Sequence, residues 1–223
     1  MDTFHGYPAT ALPLLNQIGA NGRDFFLANK QQYTDEVLEP TRALVDALAP
    51  ELHRDISDSL QVVPKVNGSI SPITNDVRFH PVPPYKDYLL LRFWEGPDKA
   101  SSATVFLRLS GTGIGFGAGW RFAGSDLGRY RQAVAGSRGA ALPEALDEVI
   151  RTAGAQLIGD ELKRVPAPYD ADHPRGDLLR RKQLGVTWEE PVPKAVTSRR
   201  FVPWCARRLA RTAEVHRWLR DNV

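Results

Sequence analysis

The chain has 223 residues, of which 42% are hydrophobic and 25% charged, and its formal net charge is +3. These proportions are typical of globular proteins and exclude a chain that is mostly disordered, collagen-like or coiled coil. The small net charge argues against a dedicated non-specific DNA binder. The single cysteine, Cys205, excludes an internal disulfide framework and a cysteine-rich metal site.

The N-terminal residues and the hydropathy of the chain predict a cytoplasmic protein without membrane contact. Residues 1–5 lack the basic and apolar regions of a signal peptide, and no stretch is long and apolar enough to span a bilayer. A reducing compartment also agrees with the single cysteine. We expect the protein to be a monomer or a homodimer.

Apolar spacing predicts helices in the first 60 residues. Between residues 23 and 48 the apolar side chains recur at steps of three, four or seven, which places them on one stripe of a helix. Pro40 lacks a backbone N–H and predicts a kink or a break, and Pro50 predicts the end of the helix.

Three short strands are predicted between residues 88 and 120. Residues 88–94 form an apolar run, and residues 103–109 alternate with the period of a half-buried strand. Residues 111–119 carry glycine at every odd position, which predicts a strand with one packed face and one bare face. The stretch 113–118 fits G-x-G-x-x-A, but a dinucleotide-binding loop joins a strand to a helix, whereas here the alternation continues.

The order of predicted elements indicates the fold class. Helices return after residue 123, residues 184–188 predict a further strand, and Pro203 predicts the start of the last helix. This order predicts an α+β fold, with a central, mainly antiparallel sheet and the N-terminal and C-terminal helices packed on it. We expect residues 1–223 to form a single domain. Its parts are a helical region (1–60), a loop and sheet region (61–122), helices and a polar block (123–182), and a return strand with the C-terminal helix (183–223).

Catalytic motifs do not identify a reaction. The sequence contains no G-x-S-x-G elbow, no S-x-x-K motif, no Walker loop and no histidine pair with zinc-binding spacing. We therefore predict no metal site. The sequence leaves open whether the protein is an enzyme and which cofactor, if any, it uses.

Two polar blocks are candidates for a functional site. The first covers residues 75–86 and the second residues 160–182, and both combine arginine, lysine, tyrosine and carboxylates with proline-restrained backbone. Such groups form buried ion-pair networks as well as anion-binding sites. The sequence leaves both alternatives open.

One hypothesis places both blocks around a single pocket for a small anionic ligand, phosphorylated or carboxylated. Arg78 and Arg164 would hold the anion through paired donors, and His173, oriented by Asp170 or Asp172, would act as a general acid or base. The candidate ligand-binding residues are Arg78, Tyr85, Lys86, Lys163, Arg164, Tyr169 and Asp177, and the candidate catalytic residues are His173, Asp172 and Tyr85.

The C-terminal segment is the most basic part of the chain. Residues 199–223 contain seven arginines against two acids, whereas residues 1–60 contain four basic residues against nine acids. A basic helix with Trp204 and Trp218 is compatible with binding to nucleic acid or a protein partner. The same helix could instead dock on the acidic N-terminal helices with Trp204, Leu209, Trp218 and Leu219 in the core, and the helical apolar stripe favours this alternative.

Four stretches of this sequence resemble a bacterial family known as the domain of unknown function 2461 family. The resemblance implies a common fold and similar length, but no activity, cofactor or catalytic residue. Asn75, Pro72 and the run 81–84 stand where the family pattern favours basic residues, so a ligand of this protein would differ from one bound through those residues. The matching stretches are 25–33 with 36–40, 76–79 with 85–86, the glycine strand, and 162–182.

Overall fold

The computed structural model describes residues 3–78 and 83–223. Short π-helical and 3-10 turns lie at Thr34–Leu38, Ser137–Ala140, Lys194–Thr197 and Ala210–Thr212. The strands are β1 (Tyr88–Trp94), β2 (Thr104–Ser110), β3 (Ile114–Arg121), β4 (Gln156–Ile158) and β5 (Gln183–Glu190). The helices are α1 (Ala11–Ala28), α2 (Lys30–Tyr33), α3 (Glu39–Asp55), α4 (Asp126–Ala135), α5 (Ala141–Ala153), α6 (Gly176–Leu179), α7 (Phe201–Leu209) and α8 (Ala213–Asn222).

Pro40 and Pro50 occupy different positions in α3. A π-helical turn at Thr34–Leu38 precedes Pro40, which lies in the first turn of α3, where a missing N–H is tolerated. The prediction that Pro50 ends the helix is wrong, because α3 continues to Asp55. Leu48 and Leu52 flank Pro50 and are buried, so core packing holds the helix together across the proline.

The strands form one antiparallel sheet in the order β1-β2-β3-β5-β4. The α+β fold class and the mainly antiparallel sheet are therefore confirmed. Residues 184–188, predicted to return to the sheet, form most of β5 between β3 and β4. Helices α1, α7 and α8 contact the strands, which confirms that N-terminal and C-terminal helices pack on the sheet.

The two faces of the sheet differ in burial. One face carries the alternating apolar residues of every long strand, among them Leu91, Leu107, Phe116 and Val186, which are fully buried. Residues directly opposite in an antiparallel pair share a face, so Arg92, Phe106, Gly117 and Thr187 lie together on the other face. This second face, here called the open face, has half-buried and exposed side chains.

The glycines of β3 allow close approach on the open face. A Cβ atom at Gly117 would lie 2.3 Å from both the Phe106 ring and the carbonyl oxygen of Val186. At Gly119 it would lie 2.6 Å from the carbonyl oxygen of Leu184. At Gly115 the nearest atom is 3.4 Å away, so only there does the backbone have room for a methyl group. The bare face predicted for this strand is confirmed.

The C-terminal helices dock through their apolar side. Leu209, Trp218 and Leu219 are buried, Trp204 is half-buried, and α7 contacts α3. The preferred prediction, docking of this segment within the molecule, agrees with this packing. Across the described ranges, the ion pairs of the C-terminal arginines go to Glu190, Glu214 and Asp221 rather than to the acids of the N-terminal helices.

Candidate functional site

Arg78, the central residue of the first polar block, lies on the surface. Its Nε and Nη2 atoms donate to the two carboxylate oxygens of Asp76 at 2.9 and 2.7 Å. These bonds lower the pKa of Asp76 and raise that of Arg78. Both side chains are exposed, so solvent screens the pair. Phe79, Pro81 and Val82, which belong to the same block, lie outside the described residues.

Tyr85 and Lys86 line a cavity of about 580 Å³ next to α1 and the end of β2. Tyr85 packs on Phe26, with ring centroids 5.0 Å apart. The Lys86 ammonium donates to the carbonyl oxygens of Pro72 and Thr74 at 2.5 and 2.7 Å, and burial lowers its pKa. Lys86 thus uses two of its three N–H groups to anchor the neighbouring loop.

The predicted catalytic residues His173 and Asp172 lie in a turn of the second polar block. The His173 Nδ1 atom accepts the backbone N–H of Arg175 at 3.0 Å, and an Asp170 carboxylate oxygen accepts the backbone N–H of Asp172 at 2.9 Å. The expectation that Asp170 or Asp172 orients the imidazole is therefore wrong, because a backbone amide takes that place. Arg175 in turn donates to carbonyl oxygens at the end of α4, including Val134 at 2.6 Å, so the turn docks on that helix.

The other candidates of the second block are exposed or engaged with neighbouring residues. Lys163 and Arg164 are exposed, and Tyr169 packs against the core. Asp177 is 84% exposed and pairs with Arg180 at 3.0 Å. None of these four lines a cavity among those found in the described part of the chain.

The structure does not bring the two polar blocks together. The first block adjoins Tyr88, which pairs with Ser110 at one end of the sheet. The second leads into Gln183, which pairs with Arg121 at the other end. Strand β3 alone separates these ends by roughly 20 Å at the usual rise per residue. The expectation of one shared pocket is therefore corrected, because the length of the sheet separates the blocks.

A cavity of about 460 Å³ at the Arg121 end of the sheet, here called the cationic cavity, is the strongest candidate site. It is lined by side chains from β3, α4 and the segment around β5. Its charged lining residues in the described ranges are Arg121, Arg131, Lys182 and Asp160, and Phe122, Leu127, Leu162 and Gln183 complete the wall.

The three cations of the cationic cavity are held by different parts of the fold. Arg121 and Lys182 are brought together because Arg121 ends β3 opposite Gln183, the first residue of β5. Arg131 lies on α4, and its Nε donates to the carbonyl oxygen of Leu179 at 3.0 Å. This bond uses Nε and leaves the terminal nitrogens of the half-buried guanidinium as further donors, and Arg131 is one of the residues that line the cavity.

The charge of the cationic cavity is unbalanced. Within residues 3–78 and 83–223, no carboxylate lies within 4.0 Å of the cationic groups of Arg121, Arg131 or Lys182. Asp160 is the one carboxylate on the described wall. Three cations facing one carboxylate beside apolar walls attract an anion, since the low-dielectric wall strengthens the field inside the cavity.

Two further cavities continue from the cationic cavity along the open face. The middle cavity, about 160 Å³, shares Arg121 and Gln183 with the cationic cavity and has Phe106 on its wall. The next, about 400 Å³ and here called the Phe106 cavity, shares Phe106 with the middle cavity. The polar side chains that line the Phe106 cavity include Arg108, Gln156, Thr187 and Glu189.

Sequence reasoning identified the second polar block, including Lys182, but missed Arg121 and Arg131. Both lie far from the block in sequence, Arg121 at the end of a strand and Arg131 in a helix. The register of β3 with β5 and the docking of α4 bring them to Lys182. No local motif signals such a pairing, because it depends on tertiary structure.

Two absences hold for the described part of the chain. No group of three or more His, Cys, Asp or Glu side chains there is arranged to hold a metal ion. No helix within the same ranges is long and apolar enough to cross a membrane.

The architecture and the site together define an α+β protein with helices on one face of an antiparallel sheet and a cation-lined groove at the end of the other face. The chain belongs to the DUF2461 family, described as a conserved hypothetical protein, whose model matches residues 11–218. This confirms the family resemblance seen in the sequence. The searches of curated proteins and of solved structures gave no match.

Proposed function

We propose that this protein binds a small anionic ligand, phosphorylated or carboxylated, in the cationic cavity. The observation that supports this most directly is that Arg121, Arg131 and Lys182 converge there with no described carboxylate partner within ion-pair distance. Arginine and lysine in this arrangement give charge-assisted hydrogen bonds to phosphate or carboxylate oxygens.

The proposal assigns different roles to the residues of the second block. Lys182 contacts the ligand, whereas His173 and Arg175 form the turn that docks on α4. Lys163 and Arg164 follow Leu162 in sequence and are exposed, and they add positive charge to this part of the chain. Asp160 on the cavity wall sets the position of the anion by repelling it from that side.

Calorimetric titration of the full chain tests the proposal. Inorganic tripolyphosphate and citrate represent the phosphorylated and the carboxylated class. Arg121→Gln and Lys182→Gln each remove one exposed cation from the cavity, and each is expected to weaken binding about tenfold. Arg207→Gln removes an exposed cation on α7 and serves as the matched control, with no expected change.

Binding that is absent for both anions, or that is unchanged in both cavity variants, overturns the proposal. Loss of binding in Arg207→Gln alone would assign the anion to the arginine-rich C-terminal helices. Binding by the cavity should also weaken as salt concentration rises, since screening reduces the attraction.

A further inference from the structure

The cationic cavity opens into a longer groove with a charge gradient. The middle cavity shares Arg121 and Gln183 with the cationic cavity and Phe106 with the Phe106 cavity, so the three follow one another along the open face. The cationic end has unbalanced positive charge. At the far end Arg108 is neutralised by Glu189 at 3.2 Å. An elongated ligand would therefore be anionic at one end only.

Phe106 lies at the right distance from the cations to hold a second part of the same ligand. Phe106 pairs with Gly117, and Arg121 follows Gly117 by four residues on β3. At the rise of an extended strand the Cα atoms of Gly117 and Arg121 are about 13 Å apart. The half-buried ring of Phe106 lines both the middle cavity and the Phe106 cavity. Stacking on an aromatic side chain is a general way in which proteins hold a nucleobase.

The groups around Phe106 match the edge of a polar ring. The exposed Gln156 amide offers both a donor and an acceptor. Thr187 donates its hydroxyl to the carbonyl oxygen of Phe116 at 3.0 Å and keeps an acceptor free for a ligand. Gly115 lies at the floor of this cavity, and it is the glycine of β3 at which a methyl group would meet only ordinary contacts.

We infer that the groove takes a nucleoside di- or triphosphate, with the phosphate chain at Arg121, Arg131 and Lys182 and the base against Phe106. This inference rests on the proposed function, because the phosphate end occupies the cationic cavity. The backbone positions of Gly117, opposite Phe106, and of Arg121 are about 13 Å apart along β3, which leaves room for a phosphate chain between the base and the cations. A single-stranded nucleic acid fits less well, since it would place a phosphate beside the neutral Arg108 and Glu189 pair as well.

Comparing the affinities for ATP and for inorganic tripolyphosphate measures the contribution of the nucleoside separately from that of the phosphates. Both are titrated into the full chain as magnesium-free sodium salts, with AMP as the short analogue. We expect ATP to bind about tenfold more tightly than tripolyphosphate, because stacking and base contacts add to the phosphate contacts. AMP is expected to bind more weakly than ATP.

Two variants locate the base. Phe106→Leu removes the ring, and Gly115→Ala adds a methyl group to the floor of the Phe106 cavity, 3.4 Å from the Arg108 Cβ atom. Each should reduce the affinity for ATP and leave that for tripolyphosphate unchanged. Gly115→Ala fits the strand, so it tests the inference even if Phe106→Leu fails to fold.

The outcomes distinguish the two proposals. Tripolyphosphate binding without a gain for ATP overturns the nucleotide inference and leaves the anion site standing. A gain for ATP that survives in Gly115→Ala and in a folded Phe106→Leu variant overturns the placement of the base. Binding of neither compound overturns both.

Discussion

Arg131 on α4 donates its Nε to the carbonyl oxygen of Leu179 at 3.0 Å, and this bond ties α4 to the segment that carries Lys182. Tyr130, the preceding residue, donates its hydroxyl to the carbonyl oxygen of Leu178 at 2.9 Å. Two adjacent side chains of α4 thus hold the end of α6. Because the second polar block is fixed to the helix in this way, Lys182 lines the cationic cavity together with Arg121 and Arg131.

Replacing Arg131 should affect stability and anion binding differently. Arg131→Gln loses the bond to Leu179 and a cavity charge, so we expect a stability loss of about 0.5–1.5 kcal/mol together with weaker tripolyphosphate binding. Arg131→Lys restores the charge without the planar donor fork, and should recover part of the affinity. Denaturant unfolding and calorimetry measure the two effects. Equal affinity in all three proteins would show that Arg131 does not contact the anion.

The glycines of β3 should differ in their tolerance of a methyl group. Gly117→Ala places a Cβ atom 2.3 Å from the Val186 carbonyl oxygen and the Phe106 ring, and should destabilise the protein by about 1–3 kcal/mol. Gly115→Ala has room and should change stability little. Thermal unfolding of the matched pair measures the difference. Equal loss in both would mean that strand flexibility rather than contact distance limits these positions.

Glu95 should make the protein sensitive to acid. Burial raises the pKa of Glu95, but hydrogen bonds from His216, at 3.0 Å, and from Ser57 outweigh burial and hold the pKa below the ordinary 4.5. The ionised carboxylate therefore stabilises the fold above pH 4.5, and this stability is lost as pH falls through the lower folded pKa. In Glu95→Gln the Tm should fall less as the pH is lowered into the acidic range. If the variant shows the same dependence of Tm on pH as the wild type, Glu95 does not cause the sensitivity to acid.

Lys99 should make stability rise with pH in the alkaline range. Burial, with a smaller contribution from the charge of Arg92, lowers the pKa of Lys99 from 10.5 to about 8. Between these values the folded chain binds fewer protons than the unfolded chain, so stability rises with pH in that window. The Tm of the wild type should rise relative to that of Lys99→Gln between about pH 8 and 10.5. A constant difference between the two proteins would contradict the lowered pKa.

Much of the fold followed from periodicity in the sequence. Alternation in β2 and β3 identified both strands and their buried faces, and the helical stripe of the C-terminal segment placed Leu209, Trp218 and Leu219 in the core. The extent of α3 did not follow, because the packing of Leu48 and Leu52 overrides the local effect of Pro50.

The site was less predictable because it depends on strand register and helix docking. The polar composition of residues 160–182 pointed to a functional region, and Lys182 lies in the cavity found there. Arg78 was predicted to bind a ligand because it belongs to a polar block. In the structure it donates to Asp76, which is only two residues away. Arg121 and Arg131 lie outside the polar block in sequence, and only the tertiary structure brings them to Lys182.

Backbone-amide NMR shows directly where the anion binds. In a titration with tripolyphosphate, binding in the cationic cavity gives the largest and saturable shifts at Arg121, Lys182 and Gln183, with little change between residues 199 and 211. The largest shifts in the arginine-rich segment 199–211, or at Tyr85 and Lys86, would contradict it and place anion binding elsewhere.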